Sequence, residues 1–182
     1  MHTRGFKLFL VLVVLACAAL LKFRSGNQKP FAAADTLPDV FIVVLGVAQD
    51  AGYPQIGCDK ACCDAYWKGK EEKKLVTCLA LVDRLSGKYW LIDATPDITV
   101  QLKNLQAFLP VKPDYIPDGI FLTHAHTGHY TGLLQLGREA MGTNGIPVYA
   151  MSRMDSFLRN NGPWNQLVQL KNITLNGLKE DS

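Results

Sequence analysis

The sequence predicts a layered α/β domain on three observations: short β-branched apolar runs that suit buried strands, segments with apolar residues at helical spacing, and an order in which strands come first and then alternate with helices. Phe41 to Val47 is uniformly apolar apart from Gly46 and reads as a buried strand, and Gln49-Asp50-Ala51-Gly52-Tyr53-Pro54 after it reads as an irregular loop. Thr77 to Asp83 and Lys88 to Asp93 flank Arg84-Leu85-Ser86-Gly87 and predict a hairpin. Ile98, Leu102, Leu105 and Leu109 recur at helical spacing, so Thr99 to Leu109 predicts a helix with Asp97 as its N-cap and Pro110 as its stop. Beyond a loop from Pro113 to Pro117, Ile120-Phe121-Leu122 predicts a short buried strand. Gly132 to Met141 then predicts helix, Pro147 to Met151 strand, Ser152 to Asn160 helix and Val168 to Leu175 strand.

The N-terminal residues have a different character. His2, Arg4 and Lys7 precede an apolar run from Leu8 to Leu21, and Lys22, Arg24 and Lys29 follow it, the pattern of a basic n-region and an apolar h-region. The chain therefore divides into residues 1–24, a signal peptide or N-terminal membrane anchor, residues 25–38, a linker of small and polar residues, and residues 39–182, the folded domain. Three endings are open for the first segment: cleavage after Ala34, lipid attachment at Cys17 in Val14-Leu15-Ala16-Cys17, or retention as an anchor. The run is at the short limit of the roughly 17 to 25 residues that a span needs. Each ending places the domain outside the cytoplasm, periplasmic or secreted, with the membrane as a partner where the segment is kept or lipidated. The competing reading is a buried N-terminal helix of a cytosolic protein.

The whole chain carries 19 Lys and Arg against 16 Asp and Glu, a formal charge of +3. Five of the basic residues and none of the acids fall before residue 31, which leaves the remainder near neutral. No basic stripe survives to bind nucleic acid, and Lys68 to Lys74 mixes both signs as a solvated surface does. About 150 residues remain for one domain with a sizeable core, with no internal repeat or low-complexity tract.

Three of the four histidines fall in Thr123-His124-Ala125-His126-Thr127-Gly128-His129, directly after a predicted strand. Neutral imidazole is the commonest ligand of zinc, and a catalytic site takes about three protein ligands with one position open. His124 and His126 are two apart and point to one side of an extended chain, and a turn at Gly128 lets His129 face the same point. These residue types predict a metal-dependent hydrolase acting on a small-molecule substrate, because a bound metal lowers the pKa of its water toward about 7. The competing reading is an exposed polar loop that binds nothing. Cys58, Cys62 and Cys63 cluster ahead of Cys78, and these thiols suit a structural zinc, disulfides or simple burial.

The histidine run resembles the T-H-x-H-x-D-H signature of the metallo-β-lactamase superfamily, and Leu91-Ile92-Asp93-Ala94-Thr95 resembles its strand-ending aspartate segment. Val44 to Gln55, followed by Cys58, Cys62 and Cys63, is similar to the N-terminal region of the branch of pyrroloquinoline quinone biosynthesis protein B. The resemblance covers roughly Val40 to Leu175. It implies the N-terminal portion of an αββα sandwich, with His124 and His126 as ligands of a first metal, His129 as a second-site ligand or proton acceptor, and Asp93 orienting a ligand. It also implies a zinc held by Cys58, Cys62 and Cys63. Asp93 has a second reading as a turn residue. The branch implies another activity, a metal-dependent oxidative step in quinone cofactor synthesis with iron rather than zinc at the histidines.

Two departures stand against this pattern. Gly128 occupies the place of the signature's metal-binding aspartate, and no histidine follows His129. A standard two-metal centre is therefore not expected. The chain is expected to be a fragment of a longer sandwich, with Asn176 to Ser182 as an interior loop and one apolar sheet face uncovered. The third functional reading is a non-catalytic, membrane-tethered binding module with a degenerate site.

Overall fold

The computed structural model describes residues 37–109 and 115–180. The expected signal or anchor segment, Cys17, Ala34, nearly all of the expected linker and the expected helix stop at Pro110 lie outside these residues. Six strands form one sheet in chain order: β1 (Val40–Gly46), β2 (Cys78–Asp83), β3 (Lys88–Ile92), β4 (Gly119–Phe121), β5 (Ile146–Met151) and β6 (Ile173–Leu178). Helix α1 (Ala61–Trp67) lies between β1 and β2, α2 (Ile98–Leu105) between β3 and β4, and α3 (Ser152–Asn160) and α4 (Trp164–Gln169) between β5 and β6.

β1 pairs antiparallel with β2, and from β2 onward connection length matches the strand directions. The short turn after β2 allows antiparallel return, and its geometry is fixed by the Asp83 carboxylate, which accepts from the Leu85 and Ser86 amides and the Ser86 hydroxyl. From β3 onward each strand is followed by a longer crossover, and β3 to β6 are parallel. This agrees with the predicted layered α/β class.

Alternation along the strands divides apolar residues between two faces. One face is buried: Val43, Ala80, Val82, Leu91, Ile120, Val148 and Ile173 share a core with Ile98, Leu105, Leu133, Leu136 and Leu158 from the helical layer. The other carries Ile42, Leu81 and Trp90 in one row, and Val44, Leu79, Ile92, Phe121 and Tyr149 in the next. Ile42 and Val44 are each 62% exposed, and the Phe121 and Tyr149 rings stack at 4.5 Å. Among the described residues no second sheet covers this face, so the expected apolar surface is present.

Four local expectations are corrected. Gly132 to Met141 is not an α-helix: a 3₁₀ segment covers Thr131–Leu136, and turn bonds from Gly137 to Leu134 and from Gly142 to Gly137 end it. Its buried residues Leu133 and Leu136 are three apart, the spacing that aligns side chains in a 3₁₀ turn. Val168 belongs to α4, and β6 begins only at Ile173, after Lys171 turns the chain with φ 58°. That strand runs on to Leu178, paired with Met151, so Asn176 to Leu178 is sheet and not loop. Asp97 makes no side-chain cap; its carboxylate instead accepts from the Val76 amide at 3.0 Å and pairs with Lys73.

The layer beneath the histidines depends on Leu133, which is fully buried in the core. Leu133→Ala is expected to lower unfolding stability by about 2–5 kcal/mol, measured by urea denaturation, because the space left under the 3₁₀ segment cannot close.

Candidate metal centre

The histidines emerge where β3 and β4 end, at the carboxyl edge of parallel strands where ligand sites of α/β sheets form. Leu122 still bonds to Tyr149 of β5, but at Thr123 the amide turns to the Asp93 carboxylate at 2.8 Å. Asp93 closes β3 with φ 72°, a left-handed backbone that aspartate tolerates better than most side chains. Its amide stays bonded to Phe121, while its buried carboxylate points to the histidine loop.

Asp93 serves two histidines. Its Oδ2 lies 2.7 Å from His129 Nδ1, and both oxygens accept from the Thr123 hydroxyl at 2.9 and 3.0 Å. The Thr123 oxygen also lies 2.9 Å from His124 Nδ1. A hydroxyl has one proton, and here it goes to the carboxylate, so the contact with His124 is a donation from Nδ1–H. In neutral His124 that leaves Nε2 unprotonated and free to bind a metal. Asp93 is thus both the residue of a strained turn and the group that orients the histidines.

The three rings sit together, with His124 centred 4.6 Å from His126 and 4.1 Å from His129. His126 is largely exposed and His129 is buried. Burial opposes protonation of His129, but its hydrogen bonds to Asp93 and Asp50 outweigh that cost and hold its pKa above the ordinary value.

The loop after β1 supplies a residue that sequence reasoning did not assign to the site. Asp50 Oδ2 lies 2.7 Å from His126 Nδ1, and Oδ1 lies 3.0 Å from His129 Nε2. The bond to His129 is the main cause that holds the Asp50 carboxyl below its usual range. Donor atoms of Asp50, His124 and His126 all lie within 4.8 Å of one another. Two imidazoles and a carboxylate around an open, exposed point suit a divalent metal with a free coordination position. The sequence signal for Asp50 was faint: one acid in a glycine-containing loop.

Cys58, Cys62 and Cys63 form a second donor group, with all three sulfurs within 4.8 Å. Cys58 and Cys62 Sγ are 3.7 Å apart, and Cys62 and Cys63 Sγ 4.0 Å. Zinc–thiolate bonds of about 2.3 Å in a tetrahedron put sulfurs ~3.8 Å apart, so the spacing fits zinc. Helix α1 carries Cys62 and Cys63 on its first turn, and Trp67 Nε1 closes the segment by donating to the Cys58 carbonyl at 3.0 Å. A shared hydrogen bond holds the Cys58 thiol below its usual value and pushes Cys63 up to about 11. Cys78 is not a fourth ligand: it is buried in β2 against the Leu79 and Asp93 carbonyls, and burial pushes its thiol up to about 12. All four described cysteines are free, so the disulfide reading falls for them. An apolar cleft of about 490 Å³ between α2 and the 3₁₀ segment shares no residue with either donor group.

Residues 89–182 match the family model of the beta-lactamase superfamily domain. The chain belongs to the beta-lactamase superfamily. Within it, the coenzyme PQQ synthesis protein B of Pseudomonas putida is 36% identical over 105 residues, which cover 53% of this chain and 33% of that protein. The protein of the same name from Klebsiella pneumoniae is 33% identical over 132 residues, or 63% of this chain and 42% of its own. The matched part thus spans less than half the length of these curated relatives. The structure of Zn(2+)-bound PqqB from Methylobacterium extorquens superposes with a TM-score of 0.63 at 21% identity, over 76% of this chain and 49% of that one. A diphosphatase of the PhnP family superposes at 0.56 with 24% identity, over 78% and 51%. Sequence and fold agree on a metallo-β-lactamase architecture, similar over the matched part to the PqqB proteins.

In this superfamily member Asp93 is expected to set metal affinity without touching the metal. Asp93→Asn removes the charge behind His129 and Thr123, and should weaken metal binding at the histidines by about 10–100-fold in a calorimetric titration. For the cysteine group, thiols of the zinc-loaded chain should resist a colorimetric thiol reagent until a chelator is added. Full thiol reactivity before chelation, with zinc still bound, counts against that site.

Proposed function

We propose that the chain carries the metal-binding part of a hydrolase acting on a small-molecule substrate. The observation that supports it is the Asp93–Thr123–His124 relay, which leaves an unprotonated His124 nitrogen beside His126 and His129. Zinc bound here would lower the pKa of its water and so supply hydroxide at neutral pH. His124 and His126 would hold the ion. His129, backed by Asp93, is placed to take a proton from the attacking water or to act as a further ligand. Asp93 fixes ring orientation through its bonds to His129 and Thr123.

The test uses the intact gene product with model esters and lactams. Turnover is expected to depend on added divalent metal and to fall by at least about 100-fold in His126→Ala at unchanged circular dichroism. Metal bound at the histidines with no turnover of any such substrate overturns the hydrolase reading.

A second reading is favoured by the relatives named coenzyme PQQ synthesis protein B: an oxidative step on a quinone precursor, with iron at the same histidines. Elemental analysis and oxygen consumption by the aerobic protein separate the two, since zinc alone excludes redox chemistry. The basic, apolar, basic order of residues 1–30 supports an exported enzyme, tethered where that segment is retained or lipidated. Fractionation of cells producing the tagged chain checks this, and recovery in the cytoplasm alone overturns it.

A further inference from the structure

We propose that Asp50 is the carboxylate ligand of the histidine centre, taking the place of the side chain that Gly128 lacks; this rests on the histidines holding a metal. The first argument is spatial. A Cβ at residue 128 would lie 2.4 Å from the Asp50 carbonyl oxygen, 2.6 Å from its Cα and 2.8 Å from its carbonyl carbon. All three are main-chain atoms, which cannot rotate away. The volume that an aspartate at 128 would enter is filled by the backbone of another aspartate.

The second argument is direction. From that backbone position the Asp50 carboxylate turns back onto the histidines, with one oxygen on His126 and the other on His129. Both contacts set an oxygen acceptor against a ring nitrogen, and each closes only with a cation between them, a proton or a metal. One carboxylate therefore spans His126 and the separately held His129.

The third argument is that Asp50 is held in place. Val47 and Ala48 amides both donate to the Leu75 carbonyl, Thr77 donates to the Ala48 carbonyl by amide and hydroxyl, and Gly52 closes a turn on Gln49 at 2.8 Å. The segment leading into Asp50 is thus tied to residues 75–77 and the turn that carries it is closed, as a ligand must be held if binding is not to spend its energy on ordering a loop. The main chain at residue 50 excludes a side chain at 128, and the carboxylate reaches the histidines from residue 50 itself.

Cobalt(II) titration of the full chain tests this, because thiolate-to-cobalt charge-transfer bands report the cysteine group and the remaining d–d bands report the histidine centre. Asp50→Asn keeps size but removes the charge and one of the two acceptor oxygens, and is expected to weaken cobalt at the histidines by about 10-fold or more with the thiolate bands unchanged. Gly128→Asp alone is expected to weaken it too, and adding Asp50→Gly to that variant is expected not to restore it, because the main-chain atoms of residue 50 that collide remain. Wild-type affinity in Asp50→Asn, or tighter binding in Gly128→Asp alone, overturns the proposal. If Gly128→Asp does not fold, Asp50→Asn decides. A wild-type chain with no histidine-centre bands is a different result: it removes the metal reading itself, and the role of Asp50 with it.

Discussion

The buried carboxylate of Asp93 is the interaction on which the rest of the site depends. It terminates β3 in a left-handed turn, takes the Thr123 amide that β4 leaves unpaired, and aligns one histidine directly and another through a hydroxyl. A buried carboxylate without partners costs several kcal/mol, so the loop that satisfies it is held by the same energy that keeps the charge. The local geometry of the histidines is therefore a by-product of solvating one anion. The main chain locks the arrangement further, with Ala94 donating to His129 and Gly132 donating to Ala94 at 2.9 Å each.

Much of this was legible in the sequence, for physical reasons. The strands announced themselves because the helix-covered face needs apolar residues at alternate positions, and β2 keeps that alternation throughout. The hairpin was readable because Asp83 and Gly87 are turn residues by chemistry. The 3₁₀ segment was misread because its leucines fit an α-helical count as well as a three-residue one, and only the glycines at 137 and 142 decide between them. Helix α1 has seven residues, too few for periodicity to show, and Trp67 ties it to the Cys58 carbonyl in its lead-in. Asp97 looked like a cap by position, yet a neighbouring loop captured its carboxylate.

The site was half legible. Histidine spacing and the strand-ending Asp93 are local patterns, and the structure brings His124, His126, His129 and Asp93 together. Asp50 is far from them in sequence and joins them only because β1 and β4 end at the same edge of the sheet. No spacing rule reaches across that distance. Cys58, Cys62 and Cys63 were found together because all three lie within one turn of helix and its lead-in, whereas Cys78 drew attention by proximity and is committed to the core.

The backbone contact between Asp50 and Gly128 changes how this chain compares with its relatives. Read as a string, the seven-residue run has lost a letter and scores as decayed. Read as a volume, the space beside the histidines still holds an acidic group, delivered from a different segment of chain. Evolutionary drift is then constrained by the backbone: a chain that gains a side chain at 128 meets the main chain of residue 50 whatever that residue is, and one that loses the acid at 50 leaves the space beside the histidines with no acid at all. An acid at 128 should consequently accompany a different path of the loop around residue 50 across homologues, a correlation that single-column conservation would miss.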